Sequence, residues 1–408
     1  MSWLGFIDTS TGWILGWTII HSLWQGAFVA AGLALVLRIV PGSMVRLRAT
    51  LSWGAFALML TLASGSWLLI EAEWRGHAAC WDSEAYALRN APLCAGHAVP
   101  AAREAIGRAN GALNRTAVSW RERASFAARP FFLSTTGGVS VFALVAGSLA
   151  LVAVCRFLLG VRLLRRIVSR ALPPRDLVVL ALAHRMRREL RVHAPVRIRV
   201  SRDISTPAVA GWRRPIILLP EGMAEMLEHT QLADVLAHEL VHVRGRHFAV
   251  NLGQRVLDCV CMFNPFALWI SGRIREEREV HCDRVAAGPL RAANRSYIET
   301  LLRLETMRGP TGPALIGLVG EGRLLRRVRR LLDTPSVSPR SRLRTASIAG
   351  LVSVALVVLM ALVSVATVSI TSWAVMSHDI QVRTAATATT TAARNSSERD
   401  AVPPFRSP

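Results

Sequence analysis

His238-Glu239-Leu240-Val241-His242 lies within Thr230 to His247, a run whose apolar residues recur with helical spacing and which holds no proline, and no glycine before Gly245. Positions i and i+4 of a helix share a face, so the two imidazoles can aim at one metal ion. Glu239 then lies beside that ion, where a carboxylate can take a proton from water. The pattern is a zinc-peptidase signature and points to hydrolysis. With 11 histidines in 408 residues, a chance His-Glu-x-x-His is rare but conceivable, so a third ligand is the stronger test. A catalytic zinc takes three protein groups and keeps one position open.

Downstream, Arg273 to Ala287 is a good helix former in which Glu279 and Asp283 stand four apart on one face. Glu279 is assigned as the third ligand and Asp283 as an acceptor behind it, orienting a ligand histidine or the incoming helix. Glu276 and Glu277 are read as solvated partners of neighbouring arginines. The sequence before the zinc helix reads as a helix over Leu177 to Arg191, a strand over Val196 to Val200, and two strand-like pieces around Gly211 and Trp212.

These segments resemble the membrane metallopeptidases of the BlaR/MecR family. The likeness is carried by His238 to Arg244, Asn251-Leu252, Asn264-Pro265 with Trp269, and Arg275 to Asp283. Ser205 to Gly211 with Pro215 to Pro220, and His21 to Gly26, are also similar to family segments, so the match extends from about Gly12 to about Leu343. The resemblance implies that the first acid of Glu-x-x-x-Asp is the ligand, in agreement with Glu279 and Asp283. It also implies regulated cleavage of a cytoplasmic protein, a transcriptional repressor or the enzyme itself. Two departures stand out. Many relatives carry an acid five residues after the second zinc histidine, where this chain has His247, read as a helix-end capping residue in preference to an extra metal contact. The best-studied receptors continue into a penicillin-binding sensor, whereas residues 374–408 are Thr-, Ala- and Ser-rich and lack Ser-x-x-Lys, so β-lactam binding by that route is not expected.

Composition points to a membrane on independent grounds: 52% of residues are hydrophobic, yet the formal charge is +22. Apolar spans joined by basic loops fit both values. Four spans are expected, Trp13 to Leu37, Leu51 to Ile70, Phe132 to Leu159 and Ala346 to Ser372. The first is too long for a cleaved signal peptide and lacks its basic leading region and cleavage site. Residues 38–50 hold three arginines and no acid, and residues 156–345 hold 34 arginines against 17 acids, so these loops face the cytoplasm. Both termini and the loop 72–131, with eight arginines against five acids, then lie outside.

The expected architecture is an α-helical integral membrane protein with four transmembrane helices and a cytoplasmic α+β zincin-like (gluzincin) metalloprotease domain between spans 3 and 4. Residues 1–71 form two spans with a short cytoplasmic loop, 72–131 an extracytoplasmic loop and 132–160 span 3. The peptidase domain occupies 161–345, span 4 occupies 346–373, and 374–408 is a disordered extracytoplasmic tail. The location is a bacterial inner membrane. Leu324 to Leu332 is read as an amphipathic helix at the inner membrane face, and Phe248 to Ile270 as a buried or membrane-apposed helix rather than a fifth crossing. His21, Ser22 and Gln25 should face protein rather than lipid, as a structural hydrogen-bond cluster or a signalling element. Cys80 and Cys94 share the outer loop and either form a disulfide or stay free; Cys155 lies in a span; Cys259, Cys261 and Cys282 should be reduced, with Cys282 packed in a core.

Chemically, His238, His242 and Glu279 are expected to hold Zn2+ and Glu239 to activate water. The expected partners are a cytoplasmic protein substrate, membrane lipid and a second copy of the chain as a homodimer. Basic clusters without a DNA-reading motif give no direct nucleic-acid contact. Regulated signalling peptidase is the leading reading. A general membrane quality-control peptidase and a non-proteolytic receptor retaining the fold are the alternatives.

Overall fold

The computed structural model describes residues 10–90, 136–288, 291–308, 324–332, 344–355 and 357–367. They are mostly helical. Among the described residues, four helices are long and apolar enough to cross a membrane: Ile14–Ile39, Val45–Ala72, Val141–Arg170 and Arg344–Thr367. The first three lie within longer helices, α1 (Ser10–Ile39), α2 (Val45–Asn90) and α3 (Thr136–Arg170). α2 starts six residues before the expected Leu51 because Arg48 has buried partners and does not need solvent. Cys94, the side chain of Cys80 and residues 374–408 lie outside what is described.

The chain divides into two compact units. In the smaller, formed by residues 1–22, 61–143 and 359–408, Ile14 and Ile70 are buried with Trp17, Trp67 and Leu69. His21 is buried there with its ring 5.9 Å from that of Trp17, and the Ser22 hydroxyl donates to the Ile19 carbonyl at 2.7 Å.

The larger unit, residues 23–60 and 144–358, holds the zinc-signature helix. Asp176 caps α4 (Leu177–Glu189) by accepting from the Val178 amide. β1 (Arg197–Ser201), β2 (Ala208–Ala210) and β3 (Ile216–Pro220) form a sheet of order β1-β3-β2. β3 pairs in parallel with β1 and antiparallel with β2. Its run Ile216 to Leu219 is buried throughout, as a central strand covered on both faces requires. The β2–β3 turn needs glycine: Gly211 has φ +85°, and a Cβ there would lie 2.8 Å from the Arg214 carbonyl oxygen.

After a short turn, α5 (Met223–Met226), the chain enters α6 (His229–Arg244), started by a capping box between Glu228 and Gln231. Leu232, Val235, Leu236, Leu240 and Val243 of α6 pack on Val179 and Ala183 of α4 and on Ile217 and Leu219 of β3. α7 (His247–Val260) and α8 (Pro265–Ala287) follow, then α9 (Arg291–Arg308). The apolar stretch Phe248 to Ile270 is thus two helices. Asn264 caps α8 by accepting from the Phe266 and Ala267 amides, and Pro265 occupies the first turn, where a missing N–H costs nothing.

Candidate metal centre

α6 and α8 bring three of the expected site residues to one point. His238 and His242, one turn apart on α6, place their Nε2 atoms 3.1 Å from each other, and Glu279 Oε2 of α8 lies 3.6 Å from the first and 3.7 Å from the second. Each ring is held from behind. His238 Nδ1 lies 3.1 Å from Asp283 Oδ1 and 3.0 Å from the Tyr297 hydroxyl. His242 Nδ1 lies 3.0 Å from His247 Nδ1.

Protons on both Nδ1 atoms satisfy these contacts and leave two Nε2 lone pairs facing a carboxylate oxygen. Lone pairs so close repel unless a cation lies among them. Tetrahedral zinc with bonds of 2.0–2.1 Å separates its ligands by about 3.3 Å, which the observed triangle matches. The donor set therefore fits a metal such as zinc.

Local charge follows from burial and pairing. Burial opposes a charge on His238, but hydrogen bonds to Asp283 and Glu279 outweigh it and push its pKa up to about 10, so without a metal this ring holds a proton on Nε2 that a bound ion would displace. Burial also works against the Glu279 carboxylate, yet the two histidines hold its pKa well below the usual range. Glu239, buried beside His238, has its pKa raised chiefly by desolvation and is the more basic carboxylate of the site.

Asp283 is fully buried and resists desolvation through Arg327, which forks onto it at 2.7 and 2.5 Å and takes its pKa down to about 2. Tyr297 adds a third bond, donating to Oδ1 at 3.0 Å. Asp283 thus stands behind His238, away from the point where the ligand atoms converge. Arg327 comes from helical residues 324–332, and Arg330 of the same segment reaches Glu277 at 2.7 Å and the Gly42 carbonyl at 3.1 Å. This segment, expected as an amphipathic helix at the inner membrane face, turns Arg327 and Arg330 toward two buried acids and leaves Leu325 and Leu332 exposed. Glu277 likewise is buried rather than solvated, between Arg48 and Arg330. Glu276 pairs with Arg273 at 2.7 Å in a half-buried setting.

His247 differs from its expected capping role. It opens α7, and its ring folds back on Gly245, where an added Cβ would meet Nε2 at 2.2 Å. Burial, then His242 and Arg278, lower its pKa to about 4, so it is neutral and its Nδ1 accepts from His242. Cys282 is buried with Sγ 3.4 Å from the same nitrogen, and burial pushes its thiol pKa up. His242, His247 and Cys282 form a second group of close donor atoms, but His242 belongs to both, and a neutral imidazole has one lone pair to give. Sequence reasoning missed three supports. Tyr297, one of two tyrosines, and Arg327 carried no local signal. His247 carried one, a polar residue where relatives place an acid.

The family described as BlaR1 peptidase M56 matches residues 104–331. The chain is also 26% identical over 178 residues to a protein of Bacillus licheniformis named regulatory protein BlaR1. That alignment covers 43% of this chain and 30% of the length of the relative.

Proposed function

The chain belongs to the BlaR1 peptidase M56 family, and from that premise we propose a zinc-dependent endopeptidase of a bacterial inner membrane that cleaves a cytoplasmic protein in regulated signalling. The observation that carries the chemistry is the triangle of His238 Nε2, His242 Nε2 and Glu279 Oε2, with Glu239 buried on the same helix. These three groups would hold the ion. When bound, zinc supplies Lewis acidity to a peptide carbonyl and lowers the pKa of water.

The chain's own residues supply the rest. Glu239, basic through desolvation, takes a proton from the attacking water and returns it to the departing amine nitrogen. Asp283 and Tyr297 keep His238 presenting Nε2, and His247 does the same for His242. β2, at an edge of the sheet, offers backbone groups on which a substrate peptide could add as a further strand. The substrate class is a cytoplasmic protein, a transcriptional repressor or the chain itself.

The test compares wild type with Glu239→Ala by N-terminal peptide mass spectrometry of cytoplasmic fragments, with metal content measured on both purified proteins. New termini confined to wild type, with zinc in both, are expected and would name the substrate. Identical fragment maps would remove the peptidase reading, and absence of zinc would remove the ligand assignment.

A further inference from the structure

α7 is inside out. It turns Gln254 and Asp258 toward α8, while Val250, Leu252, Val256 and Val260 are exposed, with Met262 just beyond its end. A helix on the surface of a water-soluble domain has the opposite polarity. The inward polar groups are well matched: Gln254 donates to the Ser271 carbonyl at 2.7 Å, and Asp258 accepts from Ser271 Oγ at 2.5 Å and Arg275 at 2.7 Å.

The corner joining α7 to α8 packs on the middle of α1. A Cβ added at Gly26 would meet Asn264 Nδ2 at 3.0 Å and Phe266 Cβ at 3.3 Å. Gly26 lies midway along the apolar stretch Ile14–Ile39, about 20 Å from the Ile39 end at 1.5 Å per residue. The same count of residues separates Asn264 from Glu277, and Glu277 bonds Arg48, which also donates to the carbonyls of Leu37 and Val40. The first half of α8 therefore runs alongside the second half of α1.

We propose that α7 and the first half of α8 form a hairpin inserted into the bilayer from the side that carries the metal centre, with Asn264 near mid-plane and the apolar face of α7 against lipid hydrocarbon. The proposal rests on α1 being a membrane span. Hydrocarbon tolerates such a hairpin only if its backbone groups are paired. At the corner, the Cys261 amide donates to Leu257, the Asn264 amide to Cys261, and those of Phe266 and Ala267 to the Asn264 side chain. Arg255, the exposed charge on α7, lies nine residues before Asn264, about 13 Å from the tip, within reach of headgroups. The insertion also sets Glu279, two residues beyond Glu277, where α1 leaves the hydrocarbon. Proteins cleaved there would present their scissile segment close to the membrane surface.

The test uses the full chain in vesicles of phosphatidylethanolamine and phosphatidylglycerol, with its cysteines intact. A nitroxide is attached through a ketone-bearing amino acid at Val260, Val256, Val250, Phe28 or Arg185, one at a time. Relaxation by oxygen and by a water-soluble nickel chelate is then compared. Val260 should match Phe28 of α1, accessible to oxygen and shielded from nickel, with Val256 and Val250 progressively shallower and Arg185 fully aqueous. Nickel access at Val260 and Val256 with Phe28 shielded would overturn the hairpin and leave the span intact. Nickel access at Phe28 as well would overturn the span itself. Shielding of Val260 and Val256 from both reagents would mean that a second copy or another protein covers α7, and would also overturn the proposal.

Discussion

The two histidines can share one ion here only with Nε2 of each deprotonated, and Asp283 and His247 favour this from behind the rings. Asp283→Asn should keep the fold but weaken zinc affinity about 10- to 100-fold, the usual effect of losing such a partner, as read by competition with a chelator. A pH effect accompanies it. The folded pKa of about 2 lies below the unfolded value of about 3.9, so the stability Asp283 contributes is present above about pH 4 and is lost as pH falls toward 2. Thermal unfolding of metal-free wild type should drop more steeply over that window than that of Asp283→Asn. Equal slopes would mean that Arg327 does not hold the acid ionised. Helical spacing puts His238 and His242 on one face and Glu279 and Asp283 on another; that the two faces meet, and that Tyr297 and Arg327 reach Asp283, was not legible, because the groups come from separate segments.

At the scale of elements, the corner between α6 and α7 matters most. Gly245 is there for space and not for backbone conformation, since its φ is −80°. Alanine at this position collides with the His247 ring, which can swing away from His242. Gly245→Ala should therefore reproduce the zinc-affinity loss of His247→Ala while α6 stays folded, measured by metal retention and circular dichroism together. Retention of zinc in both variants would show that His242 orients itself. The reading of Phe248 to Ile270 as one helix misses the break at Asn264-Pro265, a cap followed by a first-turn proline. The inverted polarity of α7 was not legible in the sequence. Gln254 and Asp258 look like an ordinary polar face until Ser271 and Arg275 are seen to receive them.

Across the whole larger unit, the link between the first two apolar helices is gripped by the peptidase elements. Arg48 and Arg330 converge on Glu277, and Arg284 donates to the Ser43 carbonyl at 2.8 Å. Glu277 is two residues from Glu279, so displacement of α1 or α2 bears on the helix that carries the candidate ligand. Glu277→Ala takes the carboxylate away from buried Arg48 and part-buried Arg330, leaving them only carbonyl partners, and should cost about 3–5 kcal/mol. Glu189→Ala, which removes an exposed pair with Arg185, should cost under about 1 kcal/mol. Chemical unfolding in detergent tests both, and similar losses would show the buried network to be dispensable. Gly26→Leu should separate α1 from the Asn264 corner and lower stability without touching the metal ligands, checked by zinc content.

Periodicity in the sequence determined what is local: four long apolar helices, the placement of His238, Glu239 and His242 on one helix, and the pairing of Glu279 with Asp283 on another. Tertiary structure alone decided what closes over long separations. It drew Arg48 and Arg330 to Glu277 and Arg327 to Asp283, in a chain whose 49 basic residues are all arginine and so look alike in sequence. A helical face is written in spacing, but the partner of a buried charge depends on which segment the fold brings within hydrogen-bond reach.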